Sequence, residues 1–388
     1  MSIFSRLVSI FNPRLGTFLD PPKKSSTDPS PLRIGILGAA NIAPQAVIGP
    51  ASYHSGVVVQ AVAARDENRA REYARQHGIP TVFKSYQELL DSPDIDAVYN
   101  PLPNYHHFEW TMKALKAGKH VLLEKPSSNN SEEMRQMVEL AKEKNLVLLE
   151  AFHYRFHPAN QRFREIVTGG SLGKLKKIEI QFTLPYRMFP KNDIRFNYDL
   201  GGGATTDLGC YAVSYCRWLN ESEPTVAFAK AETLPGNPKV DRAMKVNLIF
   251  DSPGQPQVLA EINYDLARPW RFGLIPYIPQ TGIKAICENG VAIIDNFPGP
   301  HLFHTITIAE NGKPKATEKC YKFTEPNAVG EEWWPTYRYQ LEAFVNQVRG
   351  RTPQLWITGE DSVAQMKVLE AIYEKSGLEP RPTSAYMS

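Results

Sequence analysis

The sequence predicts two domains: an α/β domain on a doubly wound parallel sheet, then an α+β domain with a mostly antiparallel, open-faced sheet. Two observations carry that prediction. From Leu32 to about Ala151 apolar strands alternate with helical patterns, and strands apolar on both faces belong to sheets covered by helices on both sides. After Glu150 several strands follow one another without helices between them, as in an antiparallel sheet. The boundary is expected near Glu150–His153. That gives an arm and linker over residues 1–31, a first domain over 32–152 and a second over 153–388.

The elements follow in order. The opening "MSIFSRLVSIFNPRLGTF" has no acid before Asp20 and only two arginines. It reads as an arm lying on the body of the protein rather than a mitochondrial presequence, and "LDPPKKSSTDPSP" reads as a linker. "LRIGIL" is a buried strand followed by a helix from about Pro44. "VVVQAVAA" (Val57–Ala64) precedes an amphipathic helix closed by Gly78. "IDAVYN" (Ile95–Asn100) precedes a helix closed by Gly118. "HVLLE" (His120–Glu124) precedes a helix with Ser131 as N-cap, and "LVLLE" (Leu146–Glu150) completes the sheet.

In the second half a helix is expected over Pro158–Thr168 and a strand over "KLKKIEIQFT". A further helix starts after the triple glycine at Gly201. Four strand segments follow, "TVAFAKAET", "RAMKVNLIF", "QVLAEINYD" and "IKAICENGVAIID". The last carries Asn289-Gly290, a hairpin signal. Helices around Pro335–Arg349 and Gly359–Ser376 close the chain.

Composition excludes some function classes. A net charge of +3 without a Lys/Arg run does not suit nucleic acid, and no apolar stretch is long enough to span a membrane. Cys210, Cys216, Cys287 and Cys320 show no C-x-x-C spacing. They read as reduced thiols of a cytoplasmic protein. No His/carboxylate cluster has metal-ligand spacing.

The turn after the first strand, "PLRIGILGAANIAP", has the layout that cradles a dinucleotide pyrophosphate on a helix N-terminus. Gly38, Ala40 and Ala43 stand where the Rossmann fingerprint has three glycines. Gly38 makes the tight turn, and Ala40, Asn41 and Ile42 present backbone to phosphate. The second strand ends at Ala64-Arg65, with Asp66 and Arg69 beyond it. Arg65 and Arg69 can pair with a 2′-phosphate, so NADP is expected rather than NAD. The competing reading leaves Arg65 solvated and gives the ribose to Asp66.

Three segments, "PLPNYHHFEWTMKALKAGKHVLLEKP" (Pro101–Pro126), "EAFHYRFHP" (Glu150–Pro158) and "GGGATTDLGCYAV" (Gly201–Val213), resemble the glucose–fructose oxidoreductase/inositol dehydrogenase (Gfo/Idh/MocA) family. The resemblance runs from about Leu32 to Arg381. The Asp-x-x-x-Tyr pattern after the glycines resembles the branch of dimeric dihydrodiol dehydrogenases and NADP-dependent D-xylose dehydrogenases. It implies a Rossmann domain for residues 32–152 and a substrate-binding, dimerising domain after it. It places Lys125 at the nicotinamide and the substrate hydroxyl, before a proline often joined by a cis peptide. It places Pro101, Leu102, Asn104, His107, Glu124 and Arg155 along the cofactor, and His157 and Trp270 beside the substrate. His107 reads equally well as a structural histidine, and Trp270 as packing.

Asp207 and Tyr211, four apart on an expected helix, share one face. Tyr211 would take the substrate hydroxyl proton, with Lys125 lowering its pKa and Asp207 fixing a substrate hydroxyl or the lysine. Either Lys125 or Tyr211 could be the immediate acid/base. The expected activity is hydride transfer between NADP and a sugar, such as D-xylose at C1, or a cyclic trans-dihydrodiol. An NAD-dependent glycoside-cleaving enzyme with tightly held cofactor and a non-catalytic NADP sensor are the alternatives. The loops Leu184–Asp199 and Ala267–Gln280 are expected to line the pocket, and the open sheet face to pair with a second subunit.

Overall fold

The computed structural model describes residues 8–22, 24, 28–272, 274–325 and 328–387. Its first sheet has six strands: β1 (Leu32–Leu37), β2 (Val57–Ala63), β3 (Thr81–Phe83), β4 (Ala97–Asn100), β5 (His120–Leu123) and β6 (Leu148–Glu150). They are parallel in the order β3-β2-β1-β4-β5-β6. Ile34, Ile36, Ala97, Val98, Val121 and Leu122 are buried, because helices cover both faces and no strand face meets water.

The helices of this half follow a short N-terminal helix α1 (Pro13–Leu19). They are α2 (Gly49–Ser52), α3 (Glu67–His77), α4 (Tyr86–Asp91), α5 (His107–Lys116) and α6 (Ser131–Glu143). A π-helical turn, Pro44–Ile48, leads into α2. β3 and α4 were not expected, since three strand residues and six helical ones are too short to show a period. Ser131 is not the N-cap of α6. The Asn130 side chain caps it, accepting the Glu133 amide at 2.9 Å, and Ser131 is the first helical residue.

After β6 the chain forms α7 (Pro158–Thr168) and β7 (Leu175–Pro185), then α8 (Cys210–Asn220). β8 (Thr225–Leu234), β9 (Asn237–Phe250), β10 (Val258–Arg268), β11 (Gln280–Cys287), β12 (Gly290–Ile294), β13 (Ile306–Glu310) and β14 (Ala316–Glu318) follow. This second sheet runs β14-β13-β12-β11-β7-β10-β9-β8. Only the central β7/β10 pair is parallel. β13 and β14 were not anticipated.

The β11–β12 hairpin forms, but Cys287 pairs with Gly290, so Glu288 and Asn289 make the turn. Gly290 serves packing instead: a Cβ there would lie 2.4 Å from the Ala309 carbonyl oxygen of β13. The sheet's outer face is polar, with Lys177 bridging Glu179 and Glu261 at 2.9 and 2.8 Å and Lys284 meeting Glu179 at 3.0 Å.

Two last helices, α9 (Thr336–Val348) and α10 (Gly359–Ser376), return to the first half. α9 packs on the π-turn and α2, and α10 on α6. The tail continues across the first half. Ser384 donates its amide to Glu133, and the Asn129 side chain donates to the Pro382 carbonyl. In the N-terminal arm, the Arg14 guanidinium lies 3.8 Å from the Tyr321 ring centroid and donates to the Leu302 carbonyl. The described arm therefore lies on the second half; residues 1–7 fall outside the described residues.

Candidate active site

Strand order reverses between β1 and β4, and open α/β sheets bind ligands beyond the carboxyl ends of the strands at such a point. At the end of β1, Gly38 adopts φ +95°, and a Cβ there would press on Leu102 at 3.1 Å. Arg69 donates to the Ala39 carbonyl and the Tyr73 hydroxyl to the Ala40 carbonyl, each at 2.9 Å. With those carbonyls held, the amides of Ala40, Asn41 and Ile42 find no acceptor among the described residues. Unpaired amides on a tight turn before a helix suit a pyrophosphate.

At the end of β2 the two candidate ribose contacts sit in different surroundings. The Asp66 carboxylate caps α3, accepting from the Asn68 and Arg69 amides at 2.9 and 3.2 Å. Arg65 is exposed, with no ion pair among the described residues. Arg69 is partly spent on Ala39, so Arg65 is the guanidinium here that faces solvent without a hydrogen-bond partner among the described residues.

A cleft of about 280 Å³ continues from this turn into the second half. Ile42, Pro101, Leu102, Asn104, His107, Glu124 and Lys125 line its first wall, and Asp207 and Tyr211 its second. Asp207 lies on a second π-turn, Thr205–Gly209, that runs into α8. π-turns interrupting α-helices recur at functional sites.

The charged centre is a clasp. Lys125 Nζ meets Asp207 Oδ1 at 2.9 Å and the Asp207 carbonyl at 3.0 Å, and Arg195 Nε meets Asp207 Oδ2 at 2.8 Å. The Lys125–Pro126 peptide is cis. Burial works against the Lys125 ammonium, but Asp207 outweighs it and the pKa rises. Burial also opposes the Asp207 charge, yet Lys125 and Arg195 hold its carboxyl far below the carboxylate range. Arg195 Nη1 also meets Asp193 Oδ1 at 3.0 Å, so two cations and two carboxylates balance at the edge of the cleft.

Tyr211 departs from expectation. Burial pushes its phenol well above the ordinary value, and Glu124, Cys210, Asp207 and Tyr154 push the same way. The Lys125 Nζ lies over the ring face, 4.7 Å from the centroid, and does not reverse that rise. The hydroxyl bonds instead to His153 Nε2 at 2.9 Å. Tyr211 is therefore a neutral phenol rather than a phenolate.

His107 is buried with both ring nitrogens on main-chain carbonyls, Pro126 at 2.8 Å and Leu102 at 2.7 Å. It ties two loops of the cleft together. Asn104 bonds the Gly201 carbonyl at 2.9 Å, joining the two halves. Glu124 is buried and accepts from the Tyr99 hydroxyl at 2.6 Å; burial raises its pKa.

Three expected residues do not reach the cleft. Arg155 pairs with Asp361 at 2.5 Å behind α8. His157 is buried and caps α7 through the Ala159 amide. Trp270 donates to the Tyr186 carbonyl at 3.2 Å outside the cleft. Of the two expected loops, Leu184, Phe189, Ile194 and Arg195 line the wall, whereas Ile278, Pro279 and Gln280 border the outer sheet face.

Sequence reasoning missed Arg195 and His153. His153 stands in the quoted segment "EAFHYRFHP", but only the fold shows that it faces Tyr211. The triple glycine also has its reason: a Cβ on Gly202 would lie 2.4 Å from the Ile194 carbonyl oxygen. Gly202 thus lets the loop carrying Arg195 close on Asp207.

Comparison with known proteins finds matches in both halves of the chain. A family model described as an oxidoreductase family with an NAD-binding Rossmann fold matches residues 32–152, and the GFO/IDH/MocA C-terminal domain matches 160–290. The chain is 34% identical over 350 residues to a D-xylose 1-dehydrogenase (NADP(+)) of Haloferax volcanii, covering 89% of this chain and 97% of that one. It is 36% identical over 165 residues to a trans-1,2-dihydrobenzene-1,2-diol dehydrogenase of Xenopus laevis, covering 42% of this chain and 49% of that protein. The fold superposes on a 3-ketoreductase of Actinomadura kijaniata, solved with NADP and TDP-benzene. The TM-score is 0.76 at 24% identity, over 89% of this chain and 98% of the other; that likeness concerns the fold. No described helix is long and apolar enough to cross a membrane. With a full-length relative and matches in both halves, the chain belongs to the GFO/IDH/MocA family of oxidoreductases.

Proposed function

We propose that this chain is an NADP-dependent dehydrogenase or reductase acting on a hydroxyl or carbonyl carbon of a sugar, with D-xylose at C1 as first candidate and a cyclic trans-dihydrodiol as second. The observation that carries the reading is the meeting of the Asp207-clasped Lys125 and the neutral Tyr211 in one cleft beside the open phosphate turn. The name of the full-length relative supports the substrate class and the cofactor.

Ala40, Asn41 and Ile42 would hold the pyrophosphate and Arg65 a 2′-phosphate. The bound nicotinamide supplies the hydride acceptor or donor. Lys125 gives its remaining N–H to the substrate oxygen and stabilises alkoxide character as it develops. Tyr211, a phenol across the operating pH range, supplies a proton in the reducing direction and must receive one in the oxidising direction.

The test is nicotinamide reduction by purified protein with NADP+ or NAD+ across D-xylose, other aldoses, polyols and a trans-dihydrodiol. Turnover with NADP+ is expected, and silence throughout would sink the reading. Arg65→Ala is expected to weaken NADP binding about tenfold or more, the loss of one charge-assisted contact, and to leave NAD binding unchanged by fluorescence titration. Equal effects on both cofactors would return the ribose to another residue.

The protein is also proposed to be a homodimer joined through the outer face of its second sheet. The Lys177, Glu179, Glu261 and Lys284 lattice supports this, since it offers self-complementary charge. Light scattering on a sizing column is expected to give twice the 43.7 kDa chain mass. A Glu179→Lys, Glu261→Lys variant is expected to elute at the single-chain mass.

A further inference from the structure

The mechanism leaves one gap. A neutral Tyr211 can accept the substrate proton only if its own proton moves on. The hydroxyl sits among aromatic rings, with Phe152, Tyr154 and Phe182 centroids 5.6 to 5.9 Å from its own. Among the described residues its one hydrogen-bond partner is His153 Nε2, at 2.9 Å. His153 is itself buried, and its Nδ1 meets Thr336 Oγ1 at 2.8 Å. Its titratable neighbours are Tyr211, Tyr337 (ring centroid 4.0 Å away), Lys125 and His301. Burial, with His301 and Lys125, keeps the imidazole neutral. The neutral ring carries one N–H; in the tautomer that gives it from Nδ1 to Thr336, Nε2 accepts from the phenol.

We propose that His153 is the proton partner of Tyr211, a positioning residue that takes the phenolic proton as Tyr211 receives the substrate's. The inference rests on the reading of Tyr211 as the proton-handling group. During oxidation the substrate O–H bond breaks and a new O–H bond forms at Tyr211. The old Tyr211 O–H bond breaks and an N–H bond forms at His153 Nε2. The hydride and its electron pair leave with the nicotinamide. A bound oxidised nicotinamide would supply the two-electron acceptor, so the positive charge gained at the imidazole would be balanced within the site. Reduction runs the same transfers backwards, His153 replenishing Tyr211. Thr336, donor or acceptor as required, holds the ring in place throughout.

The test compares His153→Gln, His153→Phe and Tyr211→Phe with wild type, using NADP+ and the best substrate of the panel between pH 6 and 9. Gln can keep a hydrogen bond to Tyr211 but cannot take up its proton. Both His153 variants are expected to lose about a hundredfold in kcat with KM unchanged. Their kcat should then climb with pH where wild type is flat, because Tyr211 must release its proton unaided. His153→Gln with wild-type kcat and a flat profile would overturn the proposal. Undiminished kcat in Tyr211→Phe would instead overturn the reading of Tyr211. Should no substrate turn over, ¹⁵N spectra of the histidine rings decide the matter. Tyr211→Phe is expected to move the Nε2 resonance of His153 alone, and an unmoved resonance refutes the partnership.

Discussion

Lys125→Met is expected to lower kcat/KM by about three orders of magnitude, the scale of losing a preorganised donor to a developing alkoxide. Fold and cofactor binding should survive. Methionine fills the stem of the lysine, and Asp207 keeps Arg195 on its other oxygen. Steady-state turnover, fluorescence titration of NADP and thermal unfolding make the check; wild-type turnover would refute the assignment of Lys125. Asp207→Asn gives a companion result with a definite sign. Burial lowers the Lys125 pKa and Asp207 supplies the leading opposition. Without that carboxylate the ammonium loses its proton at lower pH, so the alkaline limb of activity moves down.

The second large effect concerns stability. Arg381 and Asp241 are fully buried and paired. Asp241 also accepts from the amide and hydroxyl of Thr205 at 2.6 and 2.7 Å, and Arg381 Nε donates to the Gly202 carbonyl at 2.6 Å. Arg381→Met would leave a buried carboxylate without its cation, which costs about 3–5 kcal/mol. Because Gly202 and Thr205 frame the turn carrying Asp207, turnover should fall as well. Pairing the change with Asp241→Leu should recover most of the stability, since a buried ion pair replaced as a unit is often neutral. Denaturant unfolding of the single and double variants measures both; a single variant as stable as wild type would show that the pair holds nothing.

These two centres show what the sequence could and could not reveal. β1, β2, β4 and β5 were legible because a strand covered on both faces is apolar at most of its positions. The phosphate turn and Lys125 were legible because their neighbours in sequence are their neighbours in space. His153 and Tyr211 stand 58 residues apart, and Arg381 and Asp241 140; such bonds leave no period in the sequence. Asp207 and Tyr211 were read at α-helical spacing, and the π-turn between them is set by tertiary packing. Arg155 and His157 look as chemically eligible as His153 in sequence. Only the fold turns them away from the cleft.

Arg381 follows Gly202 by 179 positions in the chain, yet its guanidinium donates to the Gly202 carbonyl beside Asp207. Domains fold largely in the order the ribosome releases them, so the first sheet can form while much of the chain is still unmade. The clasp cannot. During synthesis the nascent protein holds a cofactor cradle without a finished reaction centre, and competence waits for Arg381 to emerge. A chain that stops short of Arg381 is expected to occupy nucleotide and to be unable to use it.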